Sequence, residues 1–319
     1  MDVRQVLPPD TIPSVDDPEF GEAFDGASDE EVVVLDPAAL GGAGPPRAYP
    51  VRCLNYHEIV NDVVAGRPVA VTWCPLCASA VAYDRRLGDR TLEFGVSGKL
   101  ADDDLVMYDR ATDSEFKQSL GRCIDGPLAG ESLTVLPASV RPYRALPDGA
   151  VVLQPPGGES EAASDTDEPA PVDYDADPYE RYFSVEGFGL DAHRGEGSRE
   201  WDREDDIDPK DVVLGVVRGG DALGFSLPRL EAAGGLARAT VGGEAVVAFA
   251  TADGVHAFRD PGFDFGPAGE GVFAADGTEW DGASGEAADG RRLERLPARR
   301  LFAFAWQDDH GPGSFWSPG

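Results

Sequence analysis

The sequence predicts a mostly β (α+β) protein in which two diverged copies of one β-rich module pack as pseudo-equivalent lobes. Three observations carry that expectation. Short β-branched and aromatic runs, punctuated by Gly, Pro and Asp, recur along most of the 319 residues, as strands do. One acidic, Gly- and Pro-rich stretch interrupts them near the middle, in the manner of a linker. Beyond it a set of short motifs returns in the same order, the mark of an internal repeat.

In chain order, residues 1–31 are acidic and Pro-rich with little periodicity, and are expected to lie extended over the surface. The first module is assigned to residues 32–154 and opens on Val32-Val33-Val34-Leu35. Asn55 to Val64 reads as one short helix, because Ile59, Val60, Val63 and Val64 fall at helical spacing. Val69-Ala70-Val71-Thr72-Trp73 reads as a buried strand, and Ala80-Val81-Ala82-Tyr83 as its neighbour across a Cys74-Pro75-Leu76-Cys77 turn. Thr91 to Val96 and Leu105-Val106-Met107-Tyr108 supply two more strands. Residues 155–209 form an acidic linker: Gly157 to Glu161 and Ser164 to Pro169 have loop composition, while Tyr179, Tyr182, Phe183 and Phe188 mark the part that docks.

The second module is assigned to residues 210–319. Asp211-Val212-Val213-Leu214 echoes the opening run, and Gly243-Glu244-Ala245-Val246-Val247-Ala248 echoes Gly66-Arg67-Pro68-Val69-Ala70-Val71. His256-Ala257-Phe258-Arg259 answers Val81-Ala82-Tyr83-Asp84. Glu279-Trp280, Gly285 and Leu296-Pro297-Ala298 answer Glu115-Phe116, Gly121 and Leu136-Pro137-Ala138. Where the first copy has Trp73-Cys74-Pro75-Leu76-Cys77, the second has Ala250-Thr251-Ala252-Asp253-Gly254, a plain hairpin turn. Cysteines that the scaffold can do without are candidates for function.

Charge narrows the partners. The net charge is -32, and of 27 basic residues only Lys99, Lys117 and Lys210 are lysine. Acidic surplus with scarce lysine is the composition of a protein soluble in concentrated salt, which screens the repulsion among carboxylates. Nucleic acid and anionic membrane carry the same sign and are excluded as partners. The N-terminus shows no basic segment followed by an apolar run, and no stretch reaches the roughly 18 apolar residues of a spanning helix. A cytoplasmic protein is expected, and four cysteines in such a chain do not make a disulfide framework. No phosphate loop, dinucleotide fingerprint or metalloprotease helix is present.

Five motifs in order carry a family resemblance. They are Asn55-Tyr56-His57-Glu58-Ile59-Val60-Asn61-Asp62, Thr72-Trp73-Cys74-Pro75-Leu76-Cys77, Phe94-Gly95-Val96-Ser97-Gly98, Asp104-Leu105-Val106-Met107-Tyr108-Asp109-Arg110 and Gly126-Pro127-Leu128-Ala129-Gly130. Over about residues 48 to 138 the chain resembles the domain of unknown function 3179 family. It departs from that pattern at Phe116-Lys117-Gln118, where the family usually has Trp-x-Gln, and at Ala78-Ser79, where Gly-Thr is usual. The resemblance implies a shared site at Cys74 and Cys77, with Ser97, Asp104, Asp109 and Arg110 as further motif residues, and supplies no activity.

The cysteine pair admits several chemistries. Thiol–disulfide exchange stands first, with Cys74 attacking and Cys77 resolving; because a strand and not a helix follows the second cysteine, the thioredoxin arrangement does not apply. Binding of a soft ion such as Cu or Zn is the alternative, with Cys74, Cys77, His57 and Met107 as donors. An inert buried pair and a non-catalytic interaction module complete the set. Asp102-Asp103-Asp104 reads as a solvated turn, and Asp109 with Arg110 as an ion pair ordering a strand end. Thermal unfolding followed by circular dichroism is expected to move to higher temperature as KCl rises from millimolar to molar; an unchanged transition removes the high-salt reading.

Overall fold

Val69 to Cys74 is apolar at nearly every position because the strand it forms is buried on both faces. A computed structural model describes residues 1–164, 168–203 and 206–318. The protein is mostly β, 41% strand against 13% helix, in many sheets, and divides into two compact units, residues 1–200 and 201–319.

In the first unit β1 (Glu31–Leu35) pairs antiparallel with β2 (Arg47–Pro50), which leads into helix α1 (Val51–His57). The helix stops at Glu58, whose φ of 56° and ψ of -33° break the helical ladder after its N–H has bonded Leu54 O. The chain then runs as a meander of β3 (Ile59–Val64), β4 (Arg67–Cys74) and β5 (Ser79–Asp84). The single helix expected over Asn55 to Val64 is therefore corrected to a helix followed by a strand. Ile59, Val60, Val63 and Val64 are β-branched, and the extended backbone suits them better than a helical turn does. Pairing with β4 decides the matter.

β6 (Phe94–Ala101) and β7 (Asp104–Asp109) form a hairpin over Asp102 and Asp103, extended by β8 (Glu115–Lys117) and β9 (Arg122–Asp125). On the other edge of β6 lies Val3–Gln5, with Val3 opposite Ala101. The N-terminal segment is thus more than a surface cover: it adds a strand, buries Ile12 and Val15, and bridges Val15 to Val60. β10 (Ser139–Pro142) returns to pair with β1. Residues 155–164 and 168–200 belong to this unit, with helical turns at Glu180–Ser184 and Leu190–Arg194. Tyr179, Tyr182 and Phe188 are buried, while Phe183 is exposed. Residues 165–167 of the Ser164 to Pro169 loop expectation lie outside the described residues.

The second unit is also mostly β. β11 (Val212–Arg218) pairs with β12 (Asp221–Ser226), α2 (Leu227–Ala232) follows, and β13 (Leu236–Val241), β14 (Glu244–Thr251) and β15 (Gly254–Arg259) form a meander. A small sheet comes next, containing β16 (Gly266–Gly269), β17 (Val272–Ala275) and β18 (Thr278–Asp281), and β19 (Arg299–Phe302) returns to pair with β11. Phe249, Phe258, Phe265, Phe273 and Trp280 build an aromatic core beneath it.

One glycine in each unit does the same job. Gly121 has φ 65°, and a Cβ there would sit 2.4 Å from the Tyr83 ring; Gly285 has φ 77°, and its Cβ would sit 2.5 Å from the Phe258 ring. Gly121→Ala and Gly285→Ala are each expected to destabilise the protein in urea unfolding. The left-handed backbone contributes about 1–2 kcal/mol, and forcing a methyl against a packed ring about 1–3 kcal/mol more.

Candidate functional site

Two tight turns meet to make the site. Cys74 ends β4, Ser79 opposite it starts β5, and residues 75–78 close the ladder with Ala78 at φ 43°. The β6–β7 hairpin turns over Asp102 and Asp103, both at positive φ, which suits Asp better than most residues. Asp103 O accepts the Cys77 thiol at 3.4 Å and lies 3.9 Å from Cys74 Sγ. The Asp103 carboxylate pairs with Arg4 and, at 3.6 Å, with Arg199. The next residue, Asp104, turns inward and accepts Ser119 N–H at 2.8 Å. One ligand atom each from Cys74, Cys77 and Asp104 lies within 4.8 Å of the other two, and all three residues are buried.

Asp103 and Asp104 are thus not the solvated turn that the acidic run suggests. Burial raises the Cys74 thiol, as do the Asp104 and Glu58 carboxyls, while the hydrogen bond with Cys77 opposes them. Cys77 is raised further, by burial first, then by Cys74 and Asp104, with Lys117 acting the other way. Lys117 is itself buried and reaches Asp102 at 3.3 Å. Both thiols therefore rest in the protonated form, with Cys74 the less raised.

The remaining sequence-predicted residues sit elsewhere. His57 Nδ1 lies 2.9 Å from Pro13 O and its Nε2 2.6 Å from Tyr174 Oη, so both ring nitrogens are engaged. Met107 is three residues from Asp104 on β7, hence on the opposite face of that strand. Ser97 Oγ donates to Val106 O at 2.6 Å inside the hairpin. Asp109 caps its turn by accepting Thr112 N–H and Oγ1–H at 3.0 and 2.7 Å. Arg110 pairs with Asp10 at 2.9 Å instead of with Asp109. Cys53 lies in α1, its thiol pushed up to about 12, chiefly by burial. Cys123 bonds Asp125 O at 3.1 Å.

A cavity of about 240 Å³ adjoins the turn. Cys74, Glu58, Glu161 and Tyr179 give it polar lining, Leu7, Val96, Leu100, Leu105 and Leu190 apolar walls; Cys77 is not part of the lining. Residues 155–164 and 168–200 supply part of its wall and are tied down beside it: Tyr182 Oη donates to Leu76 O at 2.7 Å, and Ser160 Oγ to Tyr56 O at 2.8 Å.

Residues 9–313 match the family described as Protein of unknown function (DUF3179). The chain belongs to that family. The match covers both units, well beyond the motifs around the cysteines. No curated protein and no solved structure matches the chain.

Glu58 is the residue that sequence reasoning missed, since it follows the more conspicuous His57 and belongs to no spaced constellation. Its carboxyl is raised to about 8, by burial first and then by Glu161 and Asp104. In the second unit the chain leaves α2 through Gly235, with φ 80°. Gly235 N–H bonds Leu230 O and its carbonyl accepts Ala250 N–H; Glu58 N–H bonds Leu54 O and its carbonyl accepts Trp73 N–H. A glutamate at a position that glycine satisfies without strain costs about 1–3 kcal/mol.

An acid raised in the folded state opposes folding as pH rises. Below 4.5 both states are protonated; between 4.5 and about 8 only the unfolded state loses the proton, so stability falls by about 1.4 kcal/mol per pH unit. Above that window the loss is complete. Chemical unfolding of Glu58→Gln beside the parent protein is expected to show the variant gaining relative stability across this window. A constant difference would place the Glu58 carboxyl in water.

Proposed function

We propose that Cys74, Cys77 and Asp104 form a metal-binding centre for a borderline-soft divalent ion of the zinc class. The observation that carries this reading is the convergence of two thiols and one carboxyl within 4.8 Å in the protein interior. Two thiolates and a carboxylate suit Zn²⁺ and leave a fourth position for a further donor. The carboxylate weighs against Cu(I), which prefers sulfur. Raised thiols fit the same reading, because carboxyl groups that hinder their ionisation favour a cation that displaces the protons. The third donor moves metal binding ahead of disulfide exchange.

Disulfide exchange remains the second reading, favoured by one asymmetry: Cys74 lines the cavity and Cys77 does not, as attacking and resolving thiols would. Forming the bond removes two electrons and two protons from the pair, so an oxidant must reach Cys74 through the cavity.

The two units are read as diverged copies of one module. Support comes from paired hydrogen bonds: Leu133 N to Gly121 O and Leu293 N to Gly285 O, both 2.8 Å, and Leu136 N to Ala82 O and Leu296 N to Ala257 O, at 2.8 and 3.0 Å. Both meanders also end on equivalent pairs, Cys74 opposite Ser79 and Thr251 opposite Gly254. On this reading the second copy serves as scaffold and the first carries the chemistry.

Elemental analysis of protein purified in high salt without chelator or affinity tag is expected to find about one zinc-class ion per chain. Cys77→Ser and Asp104→Asn should each lose it while keeping the far-ultraviolet spectrum. Metal-free protein that also refuses added Zn²⁺ sinks the proposal, and a Cys74–Cys77 disulfide forming reversibly in that protein would install the second reading.

A further inference from the structure

The cavity beside Cys74 contains a polar end that the protein leaves unsatisfied. Glu58 and Tyr179 line it and are each more than nine-tenths buried, at 7% and 8% exposure. Among the described residues no hydrogen bond or ion pair reaches the Glu58 carboxyl or the Tyr179 hydroxyl. Neither polar atom is sealed within the protein: both open onto the same cavity, where an occupant can bond them. Glu58 adds the strained backbone that Gly235 avoids in the second unit. Strain kept at a buried, unpartnered acid in a cavity points to a ligand.

The charge around that end is of one sign. Glu161 also lines the cavity, and Glu161 and Asp104 both act on Glu58. The lining cations do not offset them: Lys99 is held by Glu115 at 2.6 Å, and Arg194 is exposed at the rim. His193 stacks on Tyr179, ring centroids 5.0 Å apart, and burial lowers its affinity for a proton. The rest of the wall is aliphatic, with Leu7, Val96, Leu100, Leu105 and Leu190.

We infer that this cavity binds a small primary amine in its ammonium form, the nitrogen between Glu58 and Tyr179 and the hydrocarbon body against the leucine-rich wall. The ammonium supplies three donors and a positive charge that lets Glu58 give up its proton to solvent on binding, and its attraction to the carboxylate so formed is little screened in the interior. A volume near 240 Å³ limits the occupant to something smaller than a drug-sized ligand. The inference does not require a metal at the cysteines.

Calorimetric titration in concentrated KCl near neutral pH with benzylamine, benzyl alcohol and benzoate compares one shape in three charge states. Benzylamine is expected to bind one site per chain at least about tenfold tighter than benzyl alcohol, the scale of a charge-assisted hydrogen bond. Benzoate should be weakest. In Glu58→Gln the amine should fall to the level of the alcohol, whose affinity is retained; if that variant does not fold, Glu58→Asp should narrow the gap by withdrawing the carboxylate. Cys77→Ala, which removes a proposed metal donor outside the cavity lining, should preserve the amine preference, so failure of the metal reading leaves this one intact. Equal binding of amine and alcohol, tightest binding of benzoate, or no binding of any probe overturns the inference.

Discussion

The first unit depends on how Trp73 ties β4 to the end of α1. Its N–H donates to Glu58 O at 2.8 Å, and its indole Nε1–H donates to Asn55 Oδ1 at 2.8 Å. One residue thus fixes the helix terminus from two directions and sets the last rung of β4. Cys74 follows directly, so the position of the first thiol is inherited from that tie. Glu58 is held in its unfavourable conformation by the same bond, since relaxing its backbone would withdraw the carbonyl that Trp73 needs. The fold and the site share one anchor.

Electrostatics divides surface from interior. On the surface, carboxylates face water and salt, where their repulsion is screened. Inside, Glu58, Asp104 and the two thiols lie near one another without that screening, and three of them respond by holding protons. Lys117 is a buried cation that acts on Cys77, at the middle position of the family's Trp-x-Gln pattern. Such an interior favours whatever brings positive charge into it, which is the physical content common to the metal and ammonium readings.

What could be read in the sequence was mainly local. The buried run Val69 to Trp73, the Cys74 to Cys77 turn and the Leu105 to Tyr108 strand follow from composition and alternation. The helix expected over Asn55 to Val64 misled because valine and isoleucine at helical spacing fit a strand buried on both faces equally well; only the partner strand decides. Asp103 and Asp104 read as solvent-facing because nothing local marks a turn that is later covered. Glu58 and Tyr179 lie 121 residues apart in the chain, and their meeting in one cavity is a product of tertiary packing that no motif spacing encodes.

The closing turns of the two meanders have a consequence for how such a protein can change. In one unit four residues close the ladder, in the other two, and in both the rungs beneath are paired without a break. A hairpin tip of this kind is a modular port: its length and composition can be exchanged without shifting side chains from one face of the sheet to the other. Cys77 belongs to such an exchangeable tip, whereas Cys74 sits on the last rung and stays tied to the ladder.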